Sequence, residues 1–457
     1  MDVLFSDETI AAISTPLGEG GIGIVRLSGS RAVDIAADLF EPAGNPASLR
    51  DVETHTLHYG RIVSDGHPID EVLVSLMRAP RSYTREDVVE INCHGGVVAT
   101  RAVLDAVLRN GARLAERGEF TRRALLNGRI SLDQAQAVLD IVQAKTSLGL
   151  EAAVDRLAGR FSAAIAGLRT RIADLLADVE VEIDFPDVDV ETDRIRPRLV
   201  SAIADVGRLI RQADGGRVLR EGRTVAIVGR PNVGKSTLLN ALLAEDRAIV
   251  TPIPGTTRDT VEEIASFEGV PVRLIDTAGM RDTDDVVESV GVERTRNAMA
   301  RSDLLLLVLD RSESWTSEDH CLEQETRDLP RILVRNKADR PKSPGWPPAA
   351  DDTVAVDVSA STGDGIEGLR ATILECLVGG EVPNRSGVLM LDTWERDLLH
   401  RLRDALVGTR ASLDVGLTPD MVSEDLRSAY RISGELQGID VSESILDSIF
   451  ARFCIGK

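Results

Sequence analysis

The spacing of apolar positions changes along the chain. Over residues 1–125, short β-branched runs alternate with glycine turns. Residues 22–27 and 72–76 read as strands, and 97–108 read as an amphipathic helix. That mixture predicts an α+β domain. From 126 to 218 the period lengthens. Leu132, Ala135, Val138, Leu139 and Val142 recur at three- and four-residue steps, as do Leu168, Ile172, Leu175, Leu176 and Val179. Phe185-Pro186 breaks the run and 195–210 resumes it, so the segment is predicted helical. Residues 219–380 return to short apolar strands at 224–228, 272–275, 304–309, 332–334 and 354–356, with a helix opening at 236. From 381 to 457 the helical spacing is back: Leu398, Leu399, Leu402, Leu406, then Leu426, Tyr430, Ile432, then Ile445, Leu446, Ile449, Phe450. The simplest arrangement joins the two helical segments into one discontinuous domain with the α/β segment inserted between them. An insertion needs its ends close in space. Gly215-Gly216 and Gly379-Gly380 read as its hinges.

The α/β segment carries an ordered set of motifs. Residues 229–236 read Gly-Arg-Pro-Asn-Val-Gly-Lys-Ser, a complete G-x-x-x-x-G-K-S/T phosphate loop between a strand and a helix. Backbone N–H groups and the helix dipole make such a turn an anion site. Asn232, Val233, Gly234, Lys235, Ser236 and Thr237 are its candidate contacts, with Lys235 reaching the β and γ phosphates and Ser236 on Mg²⁺. Thr251, Pro252, Ile253, Pro254, Gly255, Thr256 and Thr257 follow. Next come Asp276, Thr277, Ala278 and Gly279 at a strand's carboxyl end, suited to the Mg²⁺ shell and the γ-phosphate. Asn336, Lys337, Ala338 and Asp339 follow another strand. A carboxylate there accepts from guanine N1–H and its 2-amine, a donor pair that adenine lacks. Ser359 and Ala360 fit the loop over the base. Each later motif alone could be an ordinary loop; the order points to guanine nucleotide hydrolysis.

The position after Asp-x-x-Gly is Met280, which cannot orient an attacking water as the glutamine of Ras-type GTPases does. The sequence shows no arginine finger in cis. Asn232 is placed to offer oxygen to a monovalent cation, and the 251–256 loop could add more. Asp282, Asp284, Asp285 and Glu288 are acids that could serve the water, and spacing alone does not choose among them.

Composition narrows the rest. The chain has five lysines in 457 residues, two of them (Lys235 and Lys337) in the nucleotide motifs. Four scattered cysteines and six histidines form no metal or disulfide pattern. No stretch approaches the roughly 20 apolar residues of a membrane span, and the acidic N-terminal residues lack a signal peptide's features. A cytoplasmic location is expected. Net charge is −21 and aromatics are 3%, which argues against an open basic, base-stacking surface for RNA.

The phosphate loop, Ile249-Val250-Thr251, Gly255-Thr256-Thr257-Arg258-Asp259, Asp-Thr-Ala-Gly-Met-Arg, 287–294, Gly118-Glu119-Phe120-Thr121 and the final Phe453-Cys454-Ile455-Gly456-Lys457 together resemble the MnmE (TrmE) family. The resemblance covers essentially the whole chain. It implies an N-terminal α+β folate-binding domain, a discontinuous helical domain and an inserted Ras-like P-loop G domain. These would be a GTPase of tRNA wobble-uridine modification. It implies K⁺ on Asn232, Thr251, Ile253 and Thr256, Mg²⁺ on Ser236 and Thr257, and Glu288 polarising the water. A 5-formyl- or 5,10-methylene-tetrahydrofolate derivative would meet Arg26, Glu90, Arg129 and Lys457. Partners implied are a second copy of the chain and an FAD-dependent MnmG-type protein in a heterotetramer, the latter supplying most of the grip on tRNA. Arg129 stands where the family usually has lysine, and Arg117 where it has proline. Cys454 reads either as a nucleophile or as a small buried residue in a docked tail. Two rival functions use the same residues: a GTP-switch assembly factor without RNA chemistry, and a metabolic folate-dependent aminomethyl transferase.

Overall fold

The alternating runs of the first segment build β1 (Ile10–Ile13), β2 (Ile22–Ser28), β3 (Phe40–Pro42), β4 (Thr56–Ser64), β5 (His67–Met77), β6 (Val88–His94) and β7 (Arg113–Leu114). The computed structural model describes residues 8–44, 48–185, 192–244, 262–276, 296, 298–346, 354–379, 388–439 and 441–457. The chain divides into two compact units: Met1–Leu139 with Ser162–Ala166 and Ser433–Lys457, and Asp140–Phe161 with Gly167–Ile432.

In the first unit the strands form one sheet in the order β3-β4-β5-β6-β2-β1-β7. Neighbours are antiparallel except β1 with β7. One face buries Val25, Leu27, Val72, Val74, Leu76, Val89 and Ile91 with residues of the helices Ala32–Leu39 and Val97–Arg109. The period-two alternation therefore puts residues 24, 26, 90, 92, 73, 75, 57 and 59 on the other face. Leu57, Tyr59 and Leu73 are exposed there, at 60%, 55% and 41%. After the helix Glu443–Phe450, the tail returns to this unit. Ile455 makes an antiparallel bridge to Arg117, and Phe450 and Phe453 pack over Gly118. Beside Gly118, the buried Glu119 accepts hydrogen bonds from Arg113 at 2.6 Å and Arg123 at 3.0 Å.

The second unit contains β8 (Arg223–Val228), β9 (Glu262–Phe267), β10 (Val270–Asp276), β11 (Leu304–Asp310), β12 (Arg331–Asn336) and β13 (Ala355–Asp357). Their order is β13-β12-β11-β8-β10-β9, parallel except for the β9–β10 hairpin. Every residue of β11 is buried, as expected of a parallel strand covered on both faces. The predicted strands all lie within observed ones or overlap them. The edge strand β9 and the helix Ser317–Glu325 were not legible from the apolar pattern, and the helix Ile366–Val378 went unread although Ile366, Leu369, Ile373 and Leu377 recur at three- and four-residue steps.

One expectation is corrected. Gly215-Gly216 is no hinge, because both residues lie inside the 30-residue helix Thr192–Glu221. The Leu389 carbonyl approaches Gly216 so closely that a Cβ there would overlap it, which is why glycine is present. Leu389 N–H donates to the Gln212 carbonyl at 3.1 Å. The helix that leads into β8 and the chain returning at 388–390 are thus side by side, as an inserted segment requires.

A buried ionic cluster ties this root together. Arg156 donates to Asp140 at 3.1 Å, to Glu395 at 2.6 Å and to the Met390 carbonyl. Arg220 pairs with Asp140 at 3.1 Å and with Asp392 at 2.5 Å. Asp140, Arg156 and Glu395 side chains are each only 1% exposed. Burial pushes the Asp140 carboxyl above its usual value despite both arginines.

Candidate functional site

The phosphate loop leaves β8 and turns into the helix Lys235–Leu243 through residues of positive φ, Asn232 at 64° and Gly234 at 99°. Gly234 has a second reason to lack a side chain, since a Cβ would overlap Asn336 Nδ2. Asn336 joins three loops: its Nδ2 donates to the Val233 carbonyl at 2.8 Å and its Oδ1 accepts from Ala360 N–H at 3.0 Å. Lys337 Nζ donates to the Asn232 carbonyl at 3.0 Å and pairs with Asp310 at 2.6 Å. Ala338 N–H donates to the Val358 carbonyl at 3.0 Å. Ser359 Oγ donates to Asp339 Oδ1 at 2.7 Å, which holds that carboxyl below its usual range. A carboxylate kept ionised at this place remains a pure acceptor.

Lys235 is buried, with Nζ donating to the Gly229 and Arg230 carbonyls at 2.8 Å each. Ser236 Oγ donates to Asp276 Oδ2 at 2.9 Å, so two hard oxygen donors meet, a set that fits Mg²⁺. Thr237 follows on the exposed helix surface, and Asn232 is also exposed. Thr251, Pro252, Ile253, Pro254, Gly255, Thr256, Thr257, Thr277, Ala278, Gly279, Met280 and Glu288 lie outside the described residues.

Asp310 was missed from the sequence. It is buried at the carboxyl end of β11, and burial pushes its carboxyl up. Hydrogen bonds from Lys337 and Ser312 outweigh that and hold it below its usual value. Its signal was position, because ligands gather at the carboxyl ends of strands in open α/β sheets.

A second constellation forms in the first unit. Arg26 and Glu90 face each other across β2 and β6, with Arg26 Nε and Nη2 each 2.8 Å from Glu90 Oε1. Arg26 Nη1 donates to the Gly456 carbonyl at 3.3 Å, and Ser14 Oγ donates to the same oxygen at 3.1 Å. Gly456 sits at φ 97°, and a Cβ there would overlap the Ile13 carbonyl. The half-buried Lys457 is therefore the next residue along from an anchored one. Arg129 is held separately, its guanidinium 4.9 Å from the centroid of the Tyr83 ring. The tail docks, but Cys454 does not bury its side chain: it is exposed while Phe453 and Gly456 on either side carry the packing. The reading of Cys454 as a small buried residue is thereby corrected.

A sheet parallel but for one edge hairpin, with a phosphate loop, a serine–aspartate oxygen pair and an ordered Asn-Lys-x-Asp base loop, defines the nucleotide-binding P-loop class, in its guanine-reading form. The family model described as MnmE helical domain matches residues 132–454, and that described as GTP-binding protein TrmE N-terminus matches 9–129. A curated relative named tRNA modification GTPase MnmE from Geobacillus thermodenitrificans is 47% identical, covering 98% of this chain and 99% of that protein. The protein of the same name from Chloroflexus aurantiacus is 49% identical over 99% of this chain and 100% of its own length. The chain belongs to the MnmE family. Among solved structures, Aquifex aeolicus Era bound to GDP and aluminium fluoride is 30% identical over 40% of this chain and 66% of that one. Its TM-score is 0.28, too low to bear on the whole fold.

Proposed function

We propose that this chain is a K⁺-activated GTP hydrolase of tRNA modification. With an FAD-dependent MnmG-type partner it adds a carboxymethylaminomethyl or aminomethyl group to C5 of the wobble uridine, drawing one carbon from a tetrahydrofolate derivative. The observation that carries the nucleotide half is the Asn336 clamp together with the Ser359-held Asp339. Asp339 accepts from guanine N1–H and the 2-amine, and the clamp fixes the base loop against the phosphate loop. Lys235 exchanges its loop carbonyls for the β and γ phosphates when nucleotide enters. Ser236, with Thr257, would hold Mg²⁺, which would supply positive charge against the charge developing on the phosphates. Asn232, with Thr251, Ile253 and Thr256, holds K⁺ where other GTPases use an arginine finger. Glu288 polarises the water that Met280 cannot orient.

In the N-terminal region, Glu90 accepts from the pterin's amino group and ring N–H. Arg26, Arg129 and Lys457 meet its anionic parts. The apolar sheet face around Leu57, Tyr59 and Leu73 supports a homodimer through this domain, since an exposed apolar patch of that kind marks an interface. The proposed domains are 1–125 for folate, 126–218 and 381–457 for the helical domain, and 219–380 for the G domain. Among the described residues no helix is long and apolar enough to cross a membrane, in keeping with work in the cytoplasm. The net charge of −21 favours a partner that supplies most of the tRNA grip. GTP turnover measured in K⁺ and Na⁺ buffers of equal ionic strength tests the proposal. At least about tenfold faster hydrolysis in K⁺ is expected, a loss of roughly 1.4 kcal/mol of transition-state stabilisation in Na⁺. Equal rates would overturn the cation mechanism.

A further inference from the structure

In a strongly acidic chain, one cavity of the first unit is lined by His55, Arg81, Tyr83, Arg85 and Arg129 with no carboxylate among its lining residues; its volume is about 560 Å³. Nearby acids are engaged elsewhere. Glu86 binds Arg123 at 3.0 Å and Ser28 at 2.7 Å, and Asp87 accepts from Ala79 N–H at 2.8 Å. The cavity is wide open to solvent, and Arg81, Arg85 and Arg129 are all exposed. Arg85 is oriented by donating to the Asn127 carbonyl at 2.9 Å, and Arg129 lies over the Tyr83 ring at 4.9 Å. Stacking of this kind fixes a guanidinium without using its donors, which stay free to point at an anion.

The cavity is linked to the Arg26–Glu90 pair through aromatic packing. Tyr83 packs against the cluster that contains Phe120, and its hydroxyl lies 3.0 Å from Thr121 Oγ1. The Arg26 guanidinium lies 5.7 Å from the centroid of Phe120. Two aromatic rings thus run between the head-binding pair and the arginine cavity.

We infer that this cavity is a subsite for the poly-γ-glutamyl tail of the folate, with Arg81, Arg85 and Arg129 taking successive carboxylates while the pterin is held at Arg26 and Glu90. The inference rests on the proposed folate reading and deepens it. A tail subsite converts a small preference per carboxylate into a cumulative one, because exposed arginine–carboxylate pairs are each weak. It also gives a role to Arg129 that its separation from the Arg26–Glu90 pair otherwise leaves open: arginine at this position offers a fork to carboxylates where lysine offers a point charge.

The test is the ratio of dissociation constants for tetrahydrofolate monoglutamate and pentaglutamate, measured by calorimetry on the full chain at low and high salt. The wild type is expected to prefer pentaglutamate by about tenfold, with the preference shrinking as salt rises. The doubly substituted R81E/R85E chain should bring the ratio close to one, and Arg81→Lys, which keeps the charge, should retain part of it. A wild-type ratio near one with monoglutamate still bound overturns the tail subsite and leaves the folate reading intact. Failure to bind either form overturns the folate reading and the inference with it. If the double variant keeps the ratio but loses affinity for tRNA, the cavity is a phosphate contact for RNA and the inference is wrong. The Arg81 backbone N–H donates to the Arg78 carbonyl at 2.9 Å, while its exposed side chain shows no hydrogen bond or ion pair among the described residues, so Arg81→Glu alone serves should the double variant fail to fold.

Discussion

The nucleotide site and the N-terminal constellation are assembled in opposite ways. The first is built from short contiguous loops at the carboxyl ends of β8, β10, β12 and β13, and its side chains mainly bind loops to one another. In a phosphate loop the anion is met by backbone N–H groups, so such a loop needs its residues in consecutive positions. The second is built from side chains brought from β2, β6 and a tail 430 residues from Arg26 in sequence. Its members need only share a place, and nothing forces them into a local pattern. A site made of backbone writes a motif into the chain, whereas a site made of side chains does not.

That contrast can be broken by substitution. The largest effect is expected outside both sites. Glu395→Ala leaves Arg156 buried with one fewer partner, which should destabilise the second unit by about 3–5 kcal/mol. Calorimetric unfolding should show its transition moved down while that of the first unit stays. Next, Lys235→Ala should lower GTP turnover by roughly 10²–10³, the usual loss on removing one preorganised charge-stabilising donor. Calorimetry should find tetrahydrofolate affinity unchanged. Asp339→Asn reverses one acceptor into a donor, and should weaken GTP by about 2–3 kcal/mol while admitting xanthosine triphosphate, seen by competition binding. The smallest effect is the mirror image of these: Gly456→Ala forces the tail off the Ile13 carbonyl and should weaken folate by about tenfold, or about 1.4 kcal/mol, with GTP kinetics untouched. If Gly456→Ala altered GTP turnover as much as folate binding, the two sites would not be separable in the way described.

Legibility followed the same division. Lys235, Ser236, Asp276 and the Asn336–Asp339 loop could be read directly, and the structure joins them through hydrogen bonds that no spacing rule specifies. The helix Ser317–Glu325 was missed because its residues are nearly all polar, although Thr316 and Asp319 form a capping box that signals it. β9 is a short edge strand carrying adjacent glutamates, too weak a pattern to stand out. The Gly215-Gly216 pair was misread because glycine serves hinges and close approaches alike, and only the Leu389 carbonyl shows which one applies. The cluster around Arg156 was invisible, since charged residues at helical spacing look the same whether solvated or buried. Arg26 and Glu90 look like ordinary strand residues until the tail is in place, and only the family resemblance singled them out.

The central claim is that nucleotide hydrolysis in one unit serves tRNA chemistry carried by the other. The most direct test is nucleoside analysis of tRNA from cells whose only copy of this chain carries Lys235→Ala. Wobble uridines lacking the C5 group, with the folate site of the purified variant still able to bind its ligand, are the predicted result. Normal wobble modification in that strain would contradict the account.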